Sequence, residues 1–541
     1  MPTINIDGRE CDFEPGQTIL QIANANGVKI PQYCYHDGLS IVASCRICLA
    51  EVWAPNPRND NKLEPIPKLL PTCQTTAAEG QVVYTDSPKA IANQKAVMEY
   101  LLINHPLDCP VCDQAGECEL QDYSYEYGRG VSRFEEIKVK QPKKDLGPHV
   151  YLYSDRCIMC SRCVRFTREV SGTAELMVEG RGNQEQIDVF PGVALDNELS
   201  ANVIDLCPVG ALLDKDFLFT QRVWFLKTTP SIDGTTAAGD NVWIEHNEGR
   251  IYRFRPRDNM DVNKWWISDE IRYSWKFAHR EDRIVKPKTM RYDRRVECEY
   301  AAAYEDAVDG LRDKRVALIV SPMLTCEEAY LFAKAVRQVD QNASFVVGPV
   351  PRQGDDKEFP GGYTIRAEKA PNARGVRRVL EAMGGGVMSY EEFLGRAGEF
   401  GGLLITGNYP SEWVTDEMLG ACEGKFVVLI DTLPTKLSER ADVLIPGATW
   451  TEKAGVFENV DNRLQAFEQA IPVVYGARQE GQVALDLAAR AEGIERPEAM
   501  NAANVRREMA NEFDALHIFE TDVHYPSVDA KQEPDVEMVE L

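Results

Sequence analysis

The sequence contains no run approaching the ~18 consecutive apolar residues that a membrane-spanning helix needs, so direct membrane insertion is not expected. Its first residues, MPTINIDGRECDFEPG, lack the basic stretch and apolar core of a secretory signal, and their acidity argues against a mitochondrial transit peptide. Cationic residues are in deficit: 60 Lys and Arg stand against 85 Asp and Glu, a formal net charge of −25. Affinity for phosphate backbones comes mainly from Lys and Arg, so no nucleic acid is expected as a partner, whereas docking onto other proteins suits this balance. No G-x-G-x-x-G fingerprint with a following acidic residue is present, so no dinucleotide site is expected. Internal repeats and low-complexity tracts are absent as well. What remains is an ordinary globular composition in a chain of 541 residues, long enough for roughly three to four domains.

Cysteine is absent from most of the chain and crowded in one part of it. Of 15 cysteines, 11 lie between Cys34 and Cys207. Cys11, Cys298, Cys326 and Cys422 lie outside that span and are expected to be structural, because a free cysteine behaves as a small buried hydrophobe. Bystander cysteines would be spread evenly. Clustering asks for metal or disulfides, and a large chain without an export signal, kept in a reducing cytoplasm, favours metal.

The residues TINID, the turn at Gly8 and the following ECDFEPG predict a hairpin, and QTILQIANANG predicts an amphipathic helix ended by Gly27. The stretch 83–105 predicts a helix with Asp86 or Ser87 as N-cap and Pro88 at its first position. Residues 145–220 hold tight turns around cysteines, and 222–285, rich in Trp, Arg and β-branched residues, predict a small β-rich unit. Beyond residue 300, RVALIVSP (315–322), GGLLITGN (401–408) and KFVVLIDT (425–432) are apolar runs of buried-strand type. They alternate with helical stretches at 327–339 and 373–385, which predicts an α/β domain with a largely parallel sheet. The final residues from 501 are polar and acidic, ending EPDVEMVEL, and are expected to form a mobile tail.

Three ligand sets stand out. Cys34, Cys45, Cys48 and Cys73 are spaced C-x10-C-x2-C-x24-C, which lets one long loop deliver three thiolates and a distant segment the fourth. Two sulphide-bridged irons need four thiolates, so the set suits a [2Fe–2S] cluster, with a four-thiolate zinc site as the competing reading. His105, Cys109, Cys112 and Cys118, in HPLDCPVCDQAGEC, are stiffened by Pro106 and Pro110. This second set is compatible with a [4Fe–4S] cluster or with zinc held by three thiolates and an imidazole, and a histidine is also often purely structural. In the third, Cys157, Cys160 and Cys163 follow C-x2-C-x2-C and a remote Cys207 precedes Pro208. That spacing wraps one loop around three corners of a cubane and is the most specific of the three. Arg156, Arg162, Arg165 and Arg168 cluster around the third set in sequence and would offset negative charge there, or be ordinary surface arginines.

The order of these motifs, with SCRICLAEV, HPLDCPVCDQAGECELQD, RCIMCSRCVRFTREVSG and DLCPVGALLD, resembles the large iron–sulphur subunit of respiratory NADH:quinone oxidoreductase, complex I. With Cys34 these cover 34–214; TPSIDGTTAAGDNV and NKWWISDEIRY are similar to the small domain that follows, and 439–465 to a molybdopterin-oxidoreductase segment. The resemblance implies a multidomain α+β and α/β fold, with N-terminal ferredoxin-like iron–sulphur domains followed by a degenerate molybdopterin-oxidoreductase-like α/β domain. It divides the chain into a [2Fe–2S] domain (1–80), a histidine-ligated cluster segment (81–145), a ferredoxin-like domain with the all-cysteine cubane (146–220), a small β-rich domain (221–285), a scaffold (300–500) and an acidic tail (501–541). It implies one [2Fe–2S] and two [4Fe–4S] clusters that pass single electrons from FMN on a flavoprotein partner, which binds NADH, toward quinone through quinone-side iron–sulphur subunits. The chain would then be a subunit of a translocating enzyme, without bond chemistry or an NADH site of its own. It would sit peripherally on the cytoplasmic face of a bacterial inner membrane. Some relatives carry a further [4Fe–4S] cluster in the small domain, where Asp233, Thr236, Asp240 and Ser268 stand here; these are poor ligands for such iron, so no fourth cluster is expected. The α/β region shows no evident Cys or Ser metal ligand and no Gly-rich phosphate loop, so no molybdopterin is expected. Competing readings are an electron-input subunit of an NAD-linked hydrogenase or formate dehydrogenase, and a zinc-stabilised scaffold.

Overall fold

A computed structural model describes residues 1–292, 294–384, 386–494 and 499–526. The chain divides into two compact units: Met1–Leu226 with Phe359–Tyr363, and Lys227–Glu358 with the described residues from Thr364 onward.

The first unit opens with the expected hairpin, strands Thr3–Ile6 and Arg9–Asp12. Asp7 and Gly8 join them at φ of 49° and 86°, the left-handed pair that a two-residue hairpin turn needs. Strand Val82–Tyr84 adds parallel to Thr3–Ile6, and Leu49–Asn56 and Lys62–Pro65 extend the sheet antiparallel. Helix Ile19–Ala25 is shorter than the predicted stretch. It starts where the Thr18 hydroxyl accepts from the Gln21 N–H while the Gln21 side chain accepts from the Thr18 N–H. Its Ile19, Leu20, Ile22 and Ala23 pack in one core with Ile4, Ile6, Val52 and Val83. Helix Pro88–Leu102 is capped by Ser87 with Pro88 in its first turn. Next comes a three-stranded antiparallel sheet of Lys143–Asp145, Val150–Tyr153 and Leu212–Asp214. Helix Arg162–Glu169, hairpin Leu176–Glu179/Gln186–Val189 and helix Asn202–Leu206 accompany it.

The second unit begins with an antiparallel sheet of Lys227–Ile232, Asn241–Asn247 and Arg250–Pro256. Its Ile232, Ile244 and Phe254 pack with Trp450, Phe457 and Phe467. Gly234 lies so close to the Trp450 ring that a Cβ there would come within 2.2 Å of it. The predicted apolar runs form Val316–Val320, Gly402–Thr406 and Phe426–Asp431, three neighbouring parallel strands of an eight-stranded sheet. Leu318 and Val320 face one core while Ala317 and Ile319 face another, which is why both sides of the strand read as apolar. Helices Cys326–Val339 and Ala373–Ala382 flank the sheet; the second ends short of 385, a position outside the described residues. The order of α+β elements followed by a mostly parallel α/β layer matches the expected fold class.

One expectation is overturned. The residues from 501 are not a tail throughout: helices Ala502–Glu512 and Ile518–Thr521, with the turn Asp514–Leu516 between them, bury Val505, Met509, Leu516 and Phe519 in the main α/β core. Overall polarity hid a stripe of apolar side chains at helical spacing. Residues 527–541 lie outside the described residues.

Candidate functional site

All three ligand sets fall in the first unit. Cys34, Cys45 and Cys48 sit on a segment without helix or strand, bent by left-handed residues Ala43 and Arg46 at φ of 50° and 61°. Cys73 follows the short strand Leu70–Pro71, and Thr72 pins it to the loop by donating from its backbone N–H and hydroxyl to the Cys48 carbonyl, at 3.3 and 3.0 Å. The Sγ atoms of Cys48 and Cys73 are 3.6 Å apart. Thiols of Cys45 and Cys73 donate to Cys34 and hold its pKa far below the usual thiol value, while sharing with Cys34 pushes theirs up. Cys73 likewise lowers Cys48 to about 6. The four sulphurs thus form a chain of contacts, Cys45–Cys34–Cys73–Cys48, and packing them favours deprotonation of some of the four.

His105 and Cys118 bracket the second set: His105 follows helix Pro88–Leu102, Cys109 starts a short turn, and Cys118 caps helix Glu119–Glu126. His105, Cys109, Cys112 and Cys118 line one cavity of about 20 Å³. Burial, and then the Arg156 charge, lower the His105 pKa to about 4, so the imidazole is neutral near pH ~7, the form that binds metals. Its Nδ1 is buried and has no hydrogen-bond partner among the described residues. Burial raises Cys112, and pushes Cys118 up to about 12. Gly210 closes the cavity wall: a Cβ there would come within 2.2 Å of the Cys112 sulphur.

The third set wraps as its spacing predicts. Met159 and Ser161 take left-handed φ of 53° and 59°, reversing the loop twice, and Cys157, Cys160, Cys163 and Cys207 line a second cavity of about 20 Å³. Cys207 ends helix Asn202–Leu206. Burial raises all four thiols, Cys160 to about 11. None of the 15 cysteines is in a disulfide. Among the described residues no three His, Cys, Asp or Glu side chains close on one point as a single ion requires, although both cavities are ringed by four soft ligands. Four soft donors around one cavity are the kind of donor set that an iron–sulphur cluster takes. A soft donor set, an orphaned imidazole nitrogen and a wall with no room for a methyl group fit such groups.

Only some of the four arginines lie at the third set, where sequence proximity had all of them. Arg162 lines its cavity, donating to the Leu206 carbonyl at 3.3 Å. Arg156 instead lines the second cavity: it donates to Asp108 at 2.9 and 3.1 Å, and its guanidinium lies 4.0 Å over the Tyr153 ring. Arg165 donates to the carbonyls of Cys34 and Ser40 in the first set's loop and, at 3.4 Å, to that of Cys160 in the third. Arg168 is exposed. Sets one and three therefore adjoin through Arg165, and sets three and two through Gly210, three residues past Cys207. Sequence reading passed over Gly210, although it stands inside the noted DLCPVGALLD.

Comparison with known proteins follows the same division. A 2Fe-2S iron-sulfur cluster binding domain matches residues 1–88, the NADH-ubiquinone oxidoreductase-G iron-sulfur binding region matches 94–133, and the ferredoxin-like domain of NADH-quinone oxidoreductase subunit 3 matches 147–213. An NADH-quinone oxidoreductase subunit of Rickettsia felis is 35% identical over 345 residues, 63% of this chain and 50% of that protein. The NADH-ubiquinone oxidoreductase 75 kDa subunit of Reclinomonas americana is 36% identical over 364 residues, 66% of this chain and 51% of that protein. The chain is a homologue of the large iron–sulphur subunit of NADH:quinone oxidoreductase. The mitochondrial NADH dehydrogenase [ubiquinone] iron-sulfur protein 1 of Solanum tuberosum is 43% identical over 303 residues, 56% of this chain and 39% of that one. This homologue spans about half the length of the curated relatives it matches. A solved chain of an NAD+-reducing [NiFe]-hydrogenase is 29% identical, with a TM-score of 0.35, and covers 41% of this chain and 91% of that one. Binding domains for 2Fe-2S and 4Fe-4S clusters are thus present in the homologue.

Two further domain models fall in the second unit. An NDSU1/NuoG-like 4Fe-4S domain matches 226–276, a segment without a cysteine, and a molybdopterin oxidoreductase domain matches 387–490. In the first, fully buried Asp233 accepts from the backbone N–H groups of Thr235 and Thr236, at 2.8 and 3.0 Å, and from both hydroxyls. The Ser268 hydroxyl caps helix Asp269–Arg272, accepting from the Ile271 N–H at 3.2 Å. In the second, Cys422 is buried in the hydrophobic core. No helix among the described residues is long and apolar enough to cross a membrane.

Proposed function

We propose that this chain is the iron–sulphur electron-transfer subunit of the peripheral arm of an NADH:quinone oxidoreductase, relaying electrons from FMN on a flavoprotein partner to quinone-side iron–sulphur subunits. The observation that carries this reading is the separate gathering of three soft-ligand sets on a homologue of the large iron–sulphur subunit. We assign a [2Fe–2S] cluster to Cys34, Cys45, Cys48 and Cys73, a [4Fe–4S] cluster to His105, Cys109, Cys112 and Cys118, and a [4Fe–4S] cluster to Cys157, Cys160, Cys163 and Cys207. Such clusters, when bound, take up and return one electron at a time. The chain's own residues set how readily. Burial keeps water from most of the thiolates, Cys109 being exposed, and Arg156 and Arg162 place positive charge at the cavity walls. His105 replaces a thiolate with a neutral donor, removing one negative charge and favouring reduction. The adjacency of set one to set three through Arg165, and of three to two through Gly210, supports a relay in that spatial order.

The reading includes no fourth cluster. At the four positions concerned Asp233, Thr236 and Ser268 are engaged in hydrogen bonds of the fold, and hydroxyls and carboxylates are hard ligands. It also includes no molybdopterin, since Cys422 is committed to the core, and the α/β region serves as scaffold. Residues 1–80, 81–145, 146–220, 221–285 and 300–500 are the corresponding domains. The chain would be held at the cytoplasmic face of a bacterial membrane through its complex. Anaerobic purification with iron and sulphide analysis tests this: about 10 irons per chain are expected, together with co-purifying flavoprotein. About 14 irons would reinstate the fourth cluster, and a colourless zinc protein would end the relay reading.

A further inference from the structure

Lined by none of the cysteine ligand sets, a cavity of about 300 Å³ in the second unit is within the size range of small-ligand sites. Arg257, Arg463, Asn241, Gln465 and His524 line it, with exposed Asp258 at its edge. Arg257 is the anomaly. It is only 7% exposed, yet among the described residues no carboxylate pairs with it. Its Nη2 donates to the Asn241 side-chain oxygen and, at 3.4 Å, to the Ser231 carbonyl, and its guanidinium lies 5.7 Å from the Trp243 ring. Its Nε is buried without an acceptor. Burial alone acts on its ionisation and pushes its pKa down to about 10, so it still carries full charge near pH ~7. A buried cation with neutral partners only is expensive, and proteins ordinarily pair it.

The second guanidinium repeats the pattern in milder form. Arg463 pairs with the exposed carboxylate of Asp261 at 3.2 Å and approaches the His524 Nδ1 at 3.3 Å, but its Nε is likewise buried without an acceptor. Asn241 and Gln465 are held by one another and by the Gly239 carbonyl, at 3.2 and 2.7 Å, so they are fixed parts of the wall. The orphaned polar atoms of the lining are both donors. Among the described residues, what this cavity lacks is therefore an acceptor, and a negatively charged one.

We propose that the cavity at Arg257 and Arg463 is a binding site for a small phosphate-bearing anion, separate from the cluster cages. The planar fork of a guanidinium matches an oxyanion with two parallel hydrogen bonds, and a phosphate group offers enough oxygens to serve both arginines. The site takes inorganic phosphate or the phosphate of a small nucleoside monophosphate by the same contacts.

The test is calorimetric titration of the full-length, cluster-loaded protein with inorganic phosphate, with adenosine monophosphate, and with chloride as control. Saturable binding of one phosphate-bearing ligand per chain is expected. Arg257→Gln should weaken it about tenfold or more. Gln465→Glu, which keeps the arginine but sets a carboxylate beside it, should do the same and covers the case in which the first variant fails to fold. Equal affinity for the two ligands identifies free phosphate as the source; tighter binding of the nucleotide identifies a nucleoside phosphate. Absence of saturable heat with either ligand up to about 10 mM, or unchanged affinity in Gln465→Glu, overturns the proposal.

Discussion

At the scale of single residues, the second ligand set depends on one atom and one missing atom. His105 is half-buried and neutral, and its buried Nδ1 has no partner among the described residues. Replacing it by cysteine keeps four donors but adds a negative charge, so His105→Cys should retain a cluster whose midpoint potential is lower. Potentiometric EPR checks this, and an unchanged or raised potential would count against ligation by His105. Gly210 is needed for a different reason, since a Cβ would overlap the Cys112 sulphur at 2.2 Å. Gly210→Ala should cost about 1–3 kcal/mol in stability and displace Cys112. Iron analysis should then fall by about four per chain while the other two EPR signals persist. That histidine could be picked out from sequence only as a candidate, because spacing and side-chain type leave zinc and a structural role open beside a cluster. The glycine could not, because its role lies in a contact with a residue nearly a hundred positions earlier.

At the scale of elements, helix Arg162–Glu169 ties two cages together through Arg165. Arg165→Met leaves the buried carbonyl of Cys34 and the partly exposed one of Ser40 without this donor, a loss of about 2 kcal/mol for charge-assisted hydrogen bonds. Removing a positive charge beside both should also lower the potentials of the first and third clusters while sparing the second. A denaturation series with redox titration reads both effects, and a shift confined to the second cluster would contradict the assignment. Element reading from sequence succeeded where the signal was local. The Asp7-Gly8 turn, the Ser87–Pro88 helix start and the apolar strand runs all arise from neighbouring residues. It failed at Ala502–Glu512, where average polarity outweighed the buried positions Val505 and Met509.

At the scale of the whole molecule, the α/β scaffold keeps a buried ionic group that no cluster uses. Lys453, fully buried, pairs with Glu328 and Glu480, each at 2.9 Å. Two carboxylates share one ammonium, and burial raises the Glu480 pKa to about 7. In the unfolded chain that proton leaves near the ordinary carboxylate value of about 4.3, in the folded chain only near 7. Between these values the folded state binds more proton, so this group's contribution to stability falls as pH rises from about 4.5 to 7. Denaturant midpoints measured across that window should show the decline, and Glu480→Gln should flatten it; an equally steep decline in the variant would refute the assignment.

The sequence by itself determined the three candidate ligand sets, their order along the chain and the alternation of buried strands with helices. Those properties are written in residue type and short-range spacing, which survive without knowing who meets whom in space. Only the tertiary structure decided which arginine serves which cage, that Gly210 must stay small, that residues beyond 501 join the core, and that Arg257 is buried without a countercharge. Each of these is a contact between distant segments, and its energy comes from the desolvation and packing that folding alone creates.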